Sequence, residues 1–271
     1  MTTSTQWQLA LDAAARYEEV LVPSILGPAA LALVDRAGLR EGESVLDVGC
    51  GTGAATRFAA ERTGPSGRVV GVDVNEGMID VARSMPPVAG PTIEWVAKSA
   101  YELPFAAEQF DVVLCAQTLQ FLQDRPRALA EMRRVLKPGG RVAVSLWSDI
   151  RESPYFHALV QAVSRHIGAE TAAGLEAAFS LSDGNASGAM ISAAGFEAVN
   201  VSVAQLELRL PAPAMFVPRH VSATPMSAGF DAASATARQL VIDDTARELA
   251  QYATSCGMTV PFRTQLVLAS R

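Results

Sequence analysis

The sequence predicts an α/β fold in which a doubly wound, parallel sheet carries helices on both of its faces. Short apolar runs that read as strands lie near 44–48, 68–72, 92–97, 110–115 and 140–146. Helix-forming stretches lie between them, near 53–62, 75–84 and 125–136. Strands and helices that alternate at this spacing form parallel sheets, because each crossover helix packs back onto the sheet. Right-handed crossovers then bring the loops that follow the strands to one edge, where ligands bind.

Length and composition limit the class of protein. With 271 residues, 49% of them hydrophobic, the chain can bury a sizeable core, and we predict one domain over residues 1–271. A net charge of −6 argues against a nucleic-acid partner, which needs a basic surface. Cys50, Cys115 and Cys256 have no metal-ligand spacing, so no metal is expected. The N-terminus has no signal-peptide pattern and no run of 18 apolar residues occurs, which predicts a cytoplasmic protein without membrane partners, monomeric or homodimeric.

The rest of the chain is arranged around residues 44–53. The first strand ends in three alternating glycines, Gly49, Gly51 and Gly53, and a helix follows at once. Glycine lets the backbone approach a ligand closely, and the free N–H groups of a helix start favour negative charge. Twenty residues beyond Gly53, the second strand ends in Asp73, where a carboxylate can accept hydrogen bonds from both hydroxyls of a ribose. Together these features predict a nucleoside-containing cofactor.

Asp47, two positions before the first glycine, argues against a dinucleotide. Its carboxylate lies where a pyrophosphate would arrive and would repel it, whereas it suits a ligand that carries an ammonium group. The pattern Asp47-x-Gly49-x-Gly51-x-Gly53 resembles motif I of the class I S-adenosylmethionine (SAM)-dependent methyltransferases. The resemblance covers about residues 40–148. It continues in 73–78, in 101–105 followed by 110–114, and in 128–140.

The resemblance implies a fold, a cofactor and a set of contacts. The fold is a Rossmann-like, doubly wound, seven-stranded, mostly parallel sheet with an antiparallel last strand, preceded by N-terminal helices and carrying a helical insertion before that strand. The cofactor is SAM, with S-adenosylhomocysteine as product. The cofactor-binding residues implied in this chain are Asp47, Gly49, Cys50, Gly51, Gly53, Asp73, Val74, Met78, Ser99, Ala100, Tyr101, Ala116 and Gln117. Where the family usually has an acidic residue before Ala100, this chain has Lys98-Ser99, so Ser99 and nearby backbone N–H groups are expected to contact the adenine.

The flanking segments are expected to cover the site. Residues 5–37 read as two helices broken at Pro23, within a helical cover over 1–40, and Tyr17 and Trp7 either line the site or only pack. The cofactor-binding core is expected over 41–148. Residues 149–271 are expected to hold the acceptor-side elements: a strand at 197–210, a helix at 232–255 that is a lid, a packing element or a dimer contact, and a last strand at 262–269.

The acceptor site has no motif that identifies the substrate. Tyr17, Gln120, Phe121 and Trp147 are the predicted substrate contacts. Many relatives carry histidines near Gln120, and this chain has none there, so the catalytic residue is unknown. Candidates for a general base are His220, His157 and Tyr17.

Three functions fit these residues. The first is methyl transfer from SAM to a small-molecule acceptor, in secondary metabolism or quinone-like biosynthesis. The second is an enzyme of this fold that keeps the methyl group, such as a cyclase or isomerase. The third is a SAM-binding regulatory module.

Overall fold

The computed structural model of the chain describes residues 11–271, with side chains from residue 13 onward; Trp7 lies outside these residues. Eight strands occur in this part of the chain. They are β1 (Ser44–Val48), β2 (Arg68–Asp73), β3 (Glu94–Ala97), β4 (Phe110–Ala116), β5 (Leu136–Trp147), β6 (Glu197–Leu210), β7 (Ala253–Thr254) and β8 (Gly257–Ser270). The α-helices are α1 (Leu11–Arg16), α2 (Gly27–Ala37), α3 (Ala54–Thr63), α4 (Glu76–Ser84), α5 (Arg125–Val135), α6 (Pro154–His166), α7 (Ala169–Glu176), α8 (Gly184–Ala193), α9 (Pro213–Ser222), α10 (Ser227–Ala232) and α11 (Ala235–Glu248).

The strands form one sheet in the order β3-β2-β1-β4-β5-β8-β6, and the two-residue β7 pairs with β8. Strands β1 to β5 are parallel, whereas β8 runs antiparallel to both β5 and β6. The predicted Rossmann-like, mostly parallel sheet with an antiparallel last strand is therefore confirmed. The division of the chain at residues 40 and 148 stays a prediction.

Both faces of the central strands are buried, which explains their apolar sequences. Neighbouring residues of β1 point to opposite faces: Val45 packs under α2 and α3, and Leu46 packs under α5. A third apolar cluster lies beyond the carboxyl end of β5, around Trp147, and joins residues of the N-terminal helix, α6, α7 and α9. This third cluster forms the walls of one of the cavities described below.

The N-terminal helices differ from the prediction, because Pro23 does not break them. Residues 11–37 are continuously helical, and Pro23 lies in a π-helical segment, Tyr17–Leu26, between α1 and α2. In an α-helix the proline ring collides with the carbonyl four residues earlier, and the wider π turn relieves that collision. By length and composition, the stretch Ala13–Ala37 could cross a membrane, but 56% of its 18-residue apolar window is buried inside the fold. Its packing in the core accounts for its apolar character.

Two C-terminal boundaries also differ. The helix expected over 232–255 ends at Glu248, and the last strand begins at Gly257 rather than at 262. The reason is long-range pairing, because β6 extends its partner strand down to the pair Leu210↔Met258. The pairing of Ala253 with Met258 then turns residues 253–258 into a tight hairpin where helix was expected.

Candidate active site

The glycine turn after β1 is fixed to the end of β2. The backbone N–H groups of Gly49 and Cys50 donate to the carbonyl of Val72, at 2.7 and 3.0 Å. The next glycine, Gly51, donates its N–H to Asp73 Oδ2 at 2.8 Å. The turn and the acidic strand end are therefore one unit, as expected where parallel strands end at one edge of a sheet.

Asp73 joins this turn to the start of α4. Its Oδ1 accepts from the N–H of Asn75 at 2.8 Å, and Asn75 in turn caps the helix by accepting from Met78. Burial raises the pKa of the Asp73 carboxyl, and the backbone N–H groups that it accepts from oppose that rise. The side chain thus stands at a strand end with its orientation fixed before any ligand arrives.

Asp47 lies beneath the glycine turn and is fully buried. Its Oδ2 accepts from the Thr56 hydroxyl at 2.6 Å, whereas Oδ1 has no hydrogen-bond partner among the described residues. Burial is the main cause that raises the pKa of this carboxyl to about 7, and the charge of Asp73 adds to the rise. An unsatisfied buried acceptor of this kind fits a ligand that brings an ammonium donor.

The first cavity opens above the glycine turn and encloses about 800 Å³, including its mouth. Predicted cofactor residues that line it are Gly49, Gly51, Asp73, Val74, Met78, Ser99, Ala100, Tyr101, Ala116 and Gln117. Asp47, Cys50 and Gly53 are not in the wall, and contact of these three residues with the cofactor stays a prediction. Sequence reasoning did not assign Val72, Lys98, Thr118 and Leu122, which also line it.

Thr118 is the missed residue whose role is clearest. Its hydroxyl donates to the carbonyl of Gly49 at 2.9 Å, and its side chain occupies the place that a Cβ on Gly49 would need. Its neighbour Gln117 is a non-glycine residue with φ of 50°, which is uncommon and marks a strained strand end. A sequence signal exists, because both residues directly follow β4 at the edge where the other strands end.

The second cavity lies beside the first and encloses about 440 Å³. All four predicted substrate residues, Tyr17, Gln120, Phe121 and Trp147, line it, together with His220. The remaining wall comes from Leu21, Ile25, Leu26, Gln117, Leu175, Ala178 and Thr224. No Asp, Glu, Lys or Arg side chain of the described residues lines it, so this cavity suits a largely apolar ligand.

Three side chains, Tyr17, Gln117 and Phe121, line both cavities and so form their common wall. Next to Tyr17 in the chain, Glu18 pairs with Arg57 at 2.7 Å, and Arg57 also donates to the carbonyl of Thr52 in the glycine turn. Burial and the charge of Asp73 raise the pKa of the Tyr17 hydroxyl, which therefore stays protonated at neutral pH. This favours a hydrogen-bonding role for Tyr17 over that of a base.

A hydrogen-bond relay orients the two glutamines. Thr264 must donate its hydroxyl to the carbonyl of Leu146 (2.9 Å), so its oxygen accepts from Gln117 Nε2 (3.0 Å). Gln117 Oε1 then accepts from Gln120 Nε2 at 3.3 Å. Gln120 Oε1 is left buried without a partner among the described residues, and so is the indole N–H of Trp147. These unsatisfied groups sit in residues that line the second cavity and await a polar ligand atom.

The histidines separate clearly. His220 is buried in the wall of the second cavity, with its Nδ1 2.7 Å from the Tyr155 hydroxyl. His157 lines a polar cleft with Arg165 and Asp244, outside both cavities, which makes it unsuitable as the base. His166 pairs with Asp244 at 2.8 Å. Residues 11–271 contain no group of three or more His, Cys, Asp or Glu side chains that could hold a metal ion.

Comparison with known proteins assigns the core. Residues 46–144 match a family profile described as a methyltransferase domain. Over these residues the chain is similar to methyltransferase domains. The ubiquinone/menaquinone biosynthesis C-methyltransferase UbiE of Hahella chejuensis is 43% identical over 113 residues, which are 41% of this chain and 45% of that protein. The chain therefore spans less than half the length of the curated relatives that it matches.

Solved structures extend the likeness in fold beyond residues 46–144. Phosphoethanolamine N-methyltransferase 2 of Haemonchus contortus has a TM-score of 0.58 at 18% identity, over 97% of this chain and 58% of that one. The YcgJ protein of Bacillus subtilis has a TM-score of 0.53 at 19% identity, over 89% and 97%. At these identities the likeness concerns the fold alone.

Substitution of a glycine in the turn after β1 tests the first cavity directly. Gly51 has φ of 56°, and a Cβ there would point at the Tyr17 hydroxyl, 3.6 Å away, on the cavity side. We expect Gly51→Ala to weaken SAM binding at least tenfold, roughly 1.4 kcal/mol, in a calorimetric titration. Gly38 has a nearly identical φ of 59° with open space around it, so Gly38→Ala is the matched control. Both variants lose about 1–2 kcal/mol of unfolding free energy, and equal SAM affinities in the two would contradict the assignment.

Proposed function

We propose that this protein is a SAM-dependent methyltransferase that acts on a small, largely apolar acceptor. The observation that carries the proposal is the shared wall. The first cavity has the glycine turn and Asp73, the second has no charged wall residue among those described, and Tyr17, Gln117 and Phe121 lie between them. A methyl donor in one cavity and an apolar acceptor in the other would meet at that wall.

The chain's own residues supply binding and alignment. SAM, when bound, supplies an activated methyl group on a sulfonium. Asp73 would hold its ribose, and Asp47 would receive its ammonium through the unsatisfied Oδ1. Methyl transfer is an in-line displacement, so holding the acceptor in line with the methyl and excluding water supplies much of the rate. The buried Gln120 and Trp147 and the half-buried Phe121 would serve both purposes.

For the acceptor, we propose a ring compound such as a quinone-like or polyketide intermediate. The similarity to the Hahella chejuensis relative, a C-methyltransferase of ubiquinone and menaquinone biosynthesis, supports a quinone-like acceptor for this chain. The apolar wall of the second cavity supports a small ring of low polarity. Secondary metabolism and a cytoplasmic location are part of the same proposal.

The function is tested by following the methyl group. Protein incubated with methyl-labelled SAM and a metabolite extract should yield a labelled product that partitions into organic solvent, together with S-adenosylhomocysteine. Asp73→Ala protein in the same extract should yield neither. Product formation without S-adenosylhomocysteine release would instead indicate a cyclase or isomerase, and SAM binding without turnover would indicate a regulatory module.

A further inference from the structure

His220 stands in an unusual place for a titratable side chain. It lies on α9, is only 1% exposed, and is surrounded by the rings of Tyr155, Phe156 and Phe216. Its imidazole stacks on Tyr155, with the ring centroids 5.3 Å apart. The same side chain lines the second cavity. A polar ring in the apolar wall of a cavity requires an account of both of its nitrogen atoms.

The contact with Tyr155 determines the protonation of Nδ1, one of the two ring nitrogens of His220. The Tyr155 hydroxyl lies 2.7 Å from His220 Nδ1, and no other hydrogen-bond partner of that hydroxyl occurs among the described residues. Burial raises the pKa of Tyr155, so the phenol keeps its proton and needs an acceptor. The hydroxyl therefore donates to Nδ1, and Nδ1 carries no proton.

The second nitrogen follows from the first. Burial lowers the pKa of His220 to about 3, which keeps the ring neutral at physiological pH. A neutral imidazole has one N–H, and since Nδ1 accepts, the proton is on Nε2. Nε2 has no hydrogen-bond partner within the part of the chain that the structure describes. A donor is thus available at the wall of the second cavity.

The side chains around His220 are consistent with a neutral ring protonated on Nε2. Tyr155 on α6 and Tyr17 on the π-helical segment are the other titratable side chains of the described residues that face the ring or its cavity. Thr224, the other hydroxyl in the wall, donates to the carbonyl of Val221 at 2.9 Å. No acid or cation in the described wall would draw a second proton onto the imidazole or pull the first one off.

We propose that His220 donates its Nε2–H to an oxygen of the acceptor, and that Tyr155 is the positioning residue that fixes this tautomer. The site would then take an apolar ring that carries a carbonyl or an ionised hydroxyl. The inference rests on the proposed function, and it replaces the role of general base that the sequence offered for His220. A base would need a lone pair on Nε2 and a pKa near the working pH.

A donor at this position fits methyl transfer without a base. An ionised acceptor uses its own electron pair to form the bond to the methyl carbon, while the pair of the broken S–C bond stays on sulfur. The negative charge of the acceptor and the positive charge of the sulfonium are both neutralised, and no proton is released. Holding the anionic oxygen on a neutral N–H keeps it in place in a cavity that offers no cation.

The tautomer is tested first, on the free protein. In ¹⁵N-labelled protein, the long-range ¹H–¹⁵N spectrum should show His220 with a protonated Nε2 and a bare Nδ1, unchanged between pH 5 and pH 8. His220→Gln identifies its signals among those of the three histidines. Tyr155→Phe should shift the ring toward a mixture of tautomers, which loss of packing alone would not do. A bare Nε2, or a charge change in this range, would overturn the proposal.

Ligand preference is tested with 1-tetralone, which has one carbonyl oxygen, and tetralin, which lacks it. We expect the wild-type protein to bind 1-tetralone about tenfold more tightly, the effect of one net hydrogen bond, in calorimetric titrations. His220→Gln keeps an N–H donor and should keep most of the preference, whereas His220→Leu should lose it. Equal affinities for the two probes in the wild-type protein, or equal loss in both variants, would overturn the donor role.

These readouts remain separate from the proposed function. Calorimetric titration of S-adenosylhomocysteine into the same variants reports the first cavity, which His220 does not line. Normal binding of S-adenosylhomocysteine together with no preference for 1-tetralone over tetralin would contradict only the donor role of His220. No binding of S-adenosylhomocysteine, together with a protonated Nε2 and an unchanged preference for 1-tetralone, would contradict the methyltransferase function and not the donor role.

Discussion

Asp73→Ala is expected to weaken SAM binding by about 150-fold. Two hydrogen bonds from ribose hydroxyls to a buried carboxylate contribute at least 3 kcal/mol together, since bonds to charged groups contribute about 1.5–3 kcal/mol each. The loss should be specific, because Asp73 accepts from backbone N–H groups, among them those of Gly51 and Asn75, and from no distant side chain of the described residues. We expect the unfolding free energy to fall by only about 1–2 kcal/mol. Calorimetric titration and denaturant unfolding measure the two effects separately.

A graded pair of controls sharpens this test. Asp73→Asn keeps one acceptor oxygen and should bind SAM with intermediate affinity. Asp80→Ala removes an exposed carboxylate on α4, the helix that follows Asp73, where it pairs with Arg83 at 3.3 Å, and should leave SAM affinity unchanged. An Asp73→Ala protein that is folded and binds SAM like the wild type would refute the ribose assignment.

The parts of this fold that sequence reasoning recovered are those fixed by local patterns. The apolar runs of β1, β2 and β4 have their side chains buried on both faces, so their composition reports their environment directly. The start of α4 could be predicted at Asn75 because asparagine commonly caps helices; its side chain accepts from the N–H of Met78. Asp73 could be predicted as a site residue because the carboxyl ends of parallel strands lie at one edge of a sheet.

The parts that could not be predicted depend on contacts between distant residues. His220 and Tyr155 are 65 residues apart, and Gln117 and Thr264 are 147 apart, so no local spacing announces either pairing. Proline ordinarily breaks an α-helix, but Pro23 is accommodated in the π-helical segment, so the helix continues. The second cavity is built from α7, α9 and the N-terminal helix, and such a wall exists only after the whole chain has folded.

Asp47→Asn is expected to make the protein more stable and the cofactor site weaker. The folded pKa of Asp47, about 7, lies above its unfolded value near 3.8, so the folded state holds a proton that the unfolded state has lost. The stability contribution of this carboxyl is therefore full below pH 3.8 and is lost as the pH rises to about 7. Between pH 5.5 and 8, the wild type should lose about 2 kcal/mol relative to Asp47→Asn, as measured by denaturant unfolding.

The binding effect of the same substitution has the opposite sign. At pH 8 an ionised Asp47 would attract the ammonium of SAM through the unsatisfied Oδ1, and asparagine would weaken binding about tenfold to hundredfold. At pH 6 the wild-type carboxyl is mostly protonated, so it must release a proton when the ammonium binds. Titrations in two buffers of different ionisation enthalpy should show this release in the wild type and not in Asp47→Asn. A residue that only packed beneath the turn would change stability without proton release, and that outcome would remove Asp47 from the cofactor site.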